Sequence, residues 1–263
     1  MANVFSGDSS CKAVWRFESG ALTTDSQSTN TLTDNNTVGT DTTNYKEGGA
    51  AASFDSAATE YFSITDANLS ATFPLKTGVT TKKISSCCWF RPDASASDYP
   101  IVYGRYTASN GYRSFGLNWY EANNTLYITL GYNSGNAAEL SAYSAVLTNG
   151  RWYHVTVTWQ DSDKAYKIRI WDDYNSTFLA DITGNFTNAW DPGTSADFTI
   201  GARNLGSKPM KAVLDELVIF DRVLTESESD SIKNGTFGAA ASNYFMPQFM
   251  NHKFIPSFTG GRQ

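Results

Sequence analysis

In the segment WYHVTVTWQ, Tyr153, Val155, Val157 and Trp159 alternate with His154, Thr156 and Thr158, so an extended chain would carry one apolar and one polar face. A period of two marks a strand that buries one side. AYKIRIW repeats the pattern, setting Tyr166, Ile168 and Ile170 against Lys167, Arg169 and Trp171. Further strands are predicted over 13–17, 51–54, 60–65, 84–91, 100–106, 113–119, 125–131, 177–182, 197–201 and 210–220. Turn signals separate them: SGN at 134–136, TNG at 148–150, DDYN at 172–175 and DPG at 191–193. Short strands at this spacing, without a βαβ rhythm, predict an antiparallel sandwich or barrel.

One helix is predicted, near the C-terminal end of the pattern. Thr225 and Glu228 have the spacing of a capping box, in which each side chain satisfies a backbone N–H of the first turn. Glu226, Glu228 and Asp230 stand where the positive end of the helix dipole favours acids, and Lys233 with Asn234-Gly235 closes the helix. Most of the acids in LDELVIFDRVLTESESDSIKNG are thereby a helix start. Asp215 and Glu216 are not. On a regular strand they point to opposite faces, each otherwise apolar, so at least one approaches the interior and needs a cation or several donors. Arg203, Lys211, Arg222 or a bound Ca²⁺ are the options in the sequence.

Composition narrows the function. Of the 263 residues 41% are hydrophobic, enough for a core, and the formal net charge is −6 with no basic run. A nucleic-acid partner needs a clustered positive field and is not expected. No apolar run approaches the ~20 residues that cross a bilayer, so no membrane partner is expected either. MANVFSGDSS lacks a basic stretch followed by an apolar one, which predicts that the Sec route is not used. Cys11, Cys87 and Cys88 show no Cys-x-x-Cys spacing and only two histidines occur, which disfavours zinc. The thiols are expected to be free and packed, with Cys87 and Cys88 on opposite faces of their strand.

Several segments, taken together, resemble the laminin-G-like branch of the concanavalin A-like jelly rolls. They are AVWRFE (13–18), GGAAASFD (48–55), EYFSITD (60–66), ISSCCWFRPD (84–93), GRWYHVTVTW (150–159), FTIGA (198–202) and, most specifically, LDELVIFDRVLTESE (214–228). The resemblance implies an all-β, two-sheet antiparallel jelly-roll sandwich with one short C-terminal helix. It divides the chain into a sandwich domain, 1–238, and an extended C-terminal arm, 239–263. Some relatives bind calcium through the first loop and the closing acidic strand. Carried over by position, that implies Ca²⁺ ligands at Asp25, Asn30, Asp215 and Glu216, the other reading being acids held by salt bridges or hydrogen bonds. WDDYNST departs from the family, where many members have an Asp-Gly turn.

Glucanases share this superfamily, but their alternating Glu-x-Asp-x-x-Glu run is absent here, and no nucleophile motif accompanies His154. Acids on opposite faces cannot flank one glycosidic bond, so no enzyme activity is expected. For glycan binding, RSFGLNWYEANN offers Asn118, Trp119 and Tyr120, with Tyr112 nearby; core packing competes for Trp119. The arm carries Tyr244, Phe245, Phe249, Phe254 and Phe258 without strand alternation. Left free, it would be an aggregation liability, so it is expected to dock on a neighbouring subunit or another protein, the alternative being its own sandwich. These features predict a non-enzymatic virion structural, decoration or adhesion protein of a phage, anchored by the arm to other virion proteins or to itself and contacting host-surface glycans. A free carbohydrate-binding module, exported by a non-Sec route, is the alternative, and a glucanase-type hydrolase the third.

Overall fold

A computed structural model describes residues 2–93, 99–107, 111–191 and 196–238. Two antiparallel sheets pack face to face. The first has the spatial order β13 (Thr177–Asn185), β12 (Ala165–Asp172), β11 (Tyr153–Gln160), β6 (Lys83–Pro92), β15 (Ala212–Phe220), β4 (Ala51–Phe54) and β3 (Gly39–Asp41), and β1 (Cys11–Trp15) also pairs with β15. The second has seven strands in the order β10 (Ala137–Leu140), β9 (Thr125–Tyr132), β8 (Arg113–Tyr120), β7 (Ile101–Tyr106), β14 (Phe198–Ile200), β5 (Tyr61–Ile64) and β2 (Thr33–Asn35). This is the predicted all-β sandwich of concanavalin A-like type. The strands that alternation did not single out are β2, β3 and β10, each only three or four residues long.

The alternating sets fill the space between the sheets. Tyr153, Val155, Val157, Trp159, Ile168 and Ile170 from the first sheet share one core with Phe115, Leu117, Trp119, Leu126, Ile128 and Leu130 from the second. Each large aliphatic side chain so buried contributes about 1.5–3 kcal/mol. Aromatic rings join the layers: Phe90 meets Trp119 at 5.7 Å and Trp159 meets Phe115 at 6.3 Å between ring centroids.

The outer face of the first sheet is not left to solvent. Helix α1 (Glu226–Lys233) opens with the predicted capping box: Glu228 N–H donates to Thr225 Oγ1, and Thr225 N–H donates to the Glu228 carboxylate. Its Ile232 packs with Phe5, Val14, Cys87, Val218 and Phe220 in a second, smaller cluster. Cys87 therefore faces outward under the helix while Cys88 faces the core, and all three thiols are free and buried. The N-terminal segment closes the cluster, with Val4 N–H donating to the Phe237 carbonyl at 2.8 Å and Phe5 stacked on Phe237. The arm, including Tyr244, Phe245, Phe249, Phe254 and Phe258, lies outside the described residues.

β15 changes partner partway along its length. Ala212–Leu214 pair with β4, Leu217–Phe220 pair with β1, and both lie on the same side of β15. Its pairing with β6 on the other side slips between Asp215 and Val218. At this point Glu216 adopts a left-handed backbone (φ 45°), as the extra residue of a β-bulge does.

Candidate functional site

The bulge corrects the expectation that Asp215 and Glu216 face opposite ways. Leu214 and Leu217 both enter the core, so the two acids between them both project outward, into the gap between β4 and β1. Asp215 Oδ2 accepts from the backbone N–H groups of Lys46 (2.7 Å) and Glu47 (2.9 Å) in the loop before β4. Glu216 accepts from Arg16 at Oε1 and from Asn3 Nδ2 at Oε2, both at 2.9 Å. Neither carboxylate reaches solvent, their residues being 0% and 2% exposed. Burial pushes Asp215 up to about 7 despite the two backbone donors. Burial also pushes Glu216 up to about 7, assisted by the charges of Glu47 and Asp215 and opposed by Asn3 and Arg16. Covered in this way, the two acids offer no room for a glycosidic bond between them.

The four expected calcium ligands are not assembled. Asp25 Oδ1 accepts from the N–H groups of Val14 and Gln27, and Oδ2 from Asn30 N–H and Asn30 Nδ2. Those four bonds use all four acceptor positions of a carboxylate. Asn30 Oδ1 accepts from Ser70 N–H at 2.7 Å, and its carbonyl accepts from Trp15 Nε1 at 2.9 Å. Asp25 and Asn30 thus clip the first loop to β1. Of the side-chain oxygens on the four residues, Asp215 Oδ1 is the one that is buried without a partner. Calcium wants six to eight oxygens, and among the described residues no group of three or more His, Cys, Asp or Glu could hold a metal. These residues do not fit the ion.

A polar cleft of about 410 Å³ lies near the acid pair, lined by Lys46, Trp89, Trp171, Asp173 and Lys233 among others. Its indoles are already covered, with Lys46 Nζ 4.6 Å above Trp89 and Lys233 Nζ 3.5 Å above Trp171. His154, edge-on to Trp89, is pushed down to about 3 by burial and by the charges of Lys233 and Arg169, so it stays neutral.

The outer face of the seven-stranded sheet is different in kind. Phe115, Leu117 and Trp119 of β8 point into the core, which sends Ser114, Gly116, Asn118 and Tyr120 outward. By the same parity Thr125, Tyr127 and Thr129 of β9 point outward, with Asn118 opposite Tyr127 and Tyr120 opposite Thr125. Tyr120 stacks on Tyr99 (4.7 Å, 10°) and approaches Tyr143 (5.9 Å), which in turn lies 4.9 Å from Tyr127. Tyr99 and Tyr143 are 36% and 45% exposed, giving the cluster an open side. On this face Asn118 Oδ1 and Thr125 Oγ1 beside the cluster, Arg203 Nε, and Ser114 Oγ near the other end of β8 are buried without a hydrogen-bond partner. Unpartnered buried polar atoms cost about 1–3 kcal/mol each, and this face holds four whose hydrogen-bonding capacity other protein atoms leave unused.

The expected glycan residues divide accordingly. Asn118 and Tyr120 belong to this face. Trp119 does not: the period of two turns it inward, where it meets Phe90 and its Nε1–H donates to Asn124 Oδ1 at 2.7 Å. Tyr112, 38% exposed, precedes β8 while Tyr120 ends it, so they stand roughly 25 Å apart at ~3.3 Å per residue. Tyr99, Tyr127, Tyr143 and Arg203 were missed as site residues. Only Tyr127 carried a signal, its outward parity in TLYITL; the others come from segments outside the strand pattern.

A sequence profile described as the concanavalin A-like lectin/glucanases superfamily matches residues 55–228. No curated protein matches the chain. Among solved structures, domain 4 of AbnA, an extracellular GH43 arabinanase of Geobacillus stearothermophilus in complex with arabinotriose, is 17% identical. It has a TM-score of 0.58 over 84% of this chain and 97% of that one. The binding domain of Paraclostridial mosquitocidal protein 1 is 12% identical with a TM-score of 0.62, covering 86% of this chain and 52% of that one. Tailspike protein 2 of an Escherichia coli O157:H7 bacteriophage is 12% identical with a TM-score of 0.51, covering 73% and 25%. The chain thus spans about half of the toxin domain and a quarter of the tailspike. At these identities the likeness is one of fold.

Proposed function

The chain belongs to the concanavalin A-like lectin/glucanases superfamily, and we propose that it is a lectin-like recognition domain without catalytic activity, binding glycan on the outer face of its seven-stranded sheet. The observation that carries this reading is the set of buried atoms without a protein partner beside the tyrosine cluster, Asn118 Oδ1, Thr125 Oγ1 and Arg203 Nε, with Ser114 Oγ farther along the same strand. Sugar hydroxyls both donate and accept, so they suit such a mixed set. Tyrosine supplies a flat apolar face with a polar tip at little entropic cost. The arabinanase domain, seen with arabinotriose, supports carbohydrate as the ligand class. The absence of catalysis rests on the acid pair, whose carboxylates are covered and engaged. A glycan panel screened with the wild type and with Tyr120→Ala tests the reading. Binding that weakens at least tenfold in the variant supports it, whereas binding indifferent to Tyr120 sinks this face as the site.

By the same reading the domain is displayed on a phage particle as a decoration or adhesion protein, held by residues 239–263 to other virion proteins or to a second copy. Its fold likeness to a tailspike and the apolar composition of that arm support this. Deleting 239–263 should then abolish particle association and leave glycan binding intact. If particle association is unaffected, the alternative of a free carbohydrate-binding module takes its place.

A further inference from the structure

Arg203 is 9% exposed, and its Nε–H has no acceptor. Among the described residues no carboxylate pairs with it; the interaction its guanidinium makes is with Tyr106, whose ring centroid lies 5.4 Å from the guanidinium carbon. Elsewhere in the molecule buried or half-buried arginines have acids: Arg105 with Asp66, Arg169 with Asp230, Arg16 with Glu216. A desolvated guanidinium without an anion is costly, and proteins ordinarily provide one.

The fold holds Arg203 in place. It follows β14 in a tight turn in which its own N–H donates to the Ser207 carbonyl at 2.8 Å. Gly201 makes the entry to that turn possible: it has φ 92°, and a Cβ there would lie 2.5 Å from the Phe54 ring. The guanidinium is close enough to the Tyr127 phenol for its charge to counter the burial that raises that group's pKa. Arg203 thus borders the tyrosines on the outer face of the second sheet, where Asn118 Oδ1, opposite Tyr127, also lacks a partner.

We infer that the ligand of this face is an acidic glycan, whose sugar carboxylate completes the unpaired guanidinium of Arg203 while the tyrosines take the rings. The inference rests on the glycan reading above and narrows it. A planar fork of N–H donors matches a carboxylate in two parallel bonds, which neither a hydroxyl nor a lysine reproduces. Because the protein carries a net charge of −6, long-range attraction does not bring the ligand in. Recognition is local, and its salt dependence is small for so enclosed a charge.

The test uses calorimetry on the full chain with three sets of oligosaccharides: uronic-acid oligomers, sialylated oligosaccharides, and carboxyl-reduced or desialylated counterparts of each. At least one acidic set is expected to bind, and its neutral counterpart about ten- to a hundredfold more weakly, the ordinary worth of a hydrogen bond to a charged group. Arg203→Gln should remove that preference, weakening the acidic set at least tenfold more than its neutral counterpart. Arg203→Lys, which keeps the charge but not the fork, should restore only part of it. The better acidic set identifies the source of the carboxylate. Equal binding of acidic and neutral members to the wild type, or equal losses for both in Arg203→Gln, would overturn the inference while leaving the glycan reading intact. No binding by any member would overturn both.

Discussion

Replacing Asp215 by Asn should flatten part of the pH dependence of stability. Burial raises this carboxyl from its ordinary value of 3.8 to about 7. The folded protein therefore binds the proton more tightly than the unfolded chain does. Stability is favoured below the ordinary carboxylate range and lost as pH rises through about 7. At about 1.4 kcal/mol per tenfold change in proton affinity, the difference amounts to at most about 4 kcal/mol. For a domain of this size that is about 8–16 °C in melting temperature, at about 2–4 °C per kcal/mol. Asparagine keeps one oxygen for the Lys46 and Glu47 N–H groups and has no proton to lose. Other carboxyls, such as Glu228 with Arg222, are shifted downward and give slopes of opposite sign. The informative quantity is therefore the difference in Tm between wild type and Asp215→Asn, followed by calorimetric scans from acid to mildly alkaline pH. That difference should move steadily in favour of the variant as pH rises. A difference that stays flat across the window would refute the buried, partly protonated state of Asp215.

Asp25→Ala would leave four donors of β1 and the first loop without that acceptor, and chemical denaturation should show a loss of about 3 kcal/mol or more. Thr225→Ala removes the cap of α1 and should cost about 1 kcal/mol by the same method. Because the expected calcium ligands are not assembled and, Asp215 Oδ1 apart, are engaged by protein donors, Tm should be the same in millimolar CaCl₂ and in EDTA; a saturable rise with calcium would show that those donors give way to the ion.

The strands were legible wherever one face is buried, because alternation then records the layer directly. The predicted 84–91 and 125–131 became Lys83–Pro92 and Thr125–Tyr132. The helix was legible down to its capping box, since that motif depends on two side chains three residues apart. β2, β3 and β10 were not, being short and without a buried face for alternation to record. Neither was the bulge at Glu216. A non-glycine residue with positive φ carries no mark in the chain, and here it reverses the face of every residue before it relative to those after it. The candidate site was half legible for the same physical reason. Parity on β8 separates Asn118 and Tyr120 from Trp119, but Tyr99, Tyr143 and Arg203 reach the face from loops whose courses are set by tertiary contacts.

The most direct measurement is amide chemical-shift mapping of the protein titrated with the best oligosaccharide of the panel. Saturable perturbations should gather at Ser114, Asn118, Tyr120, Thr125, Tyr127 and Arg203, on the outer face of the seven-stranded sheet. Perturbations centred instead on the opposite sheet, around Trp89 and Trp171, would contradict recognition through this face.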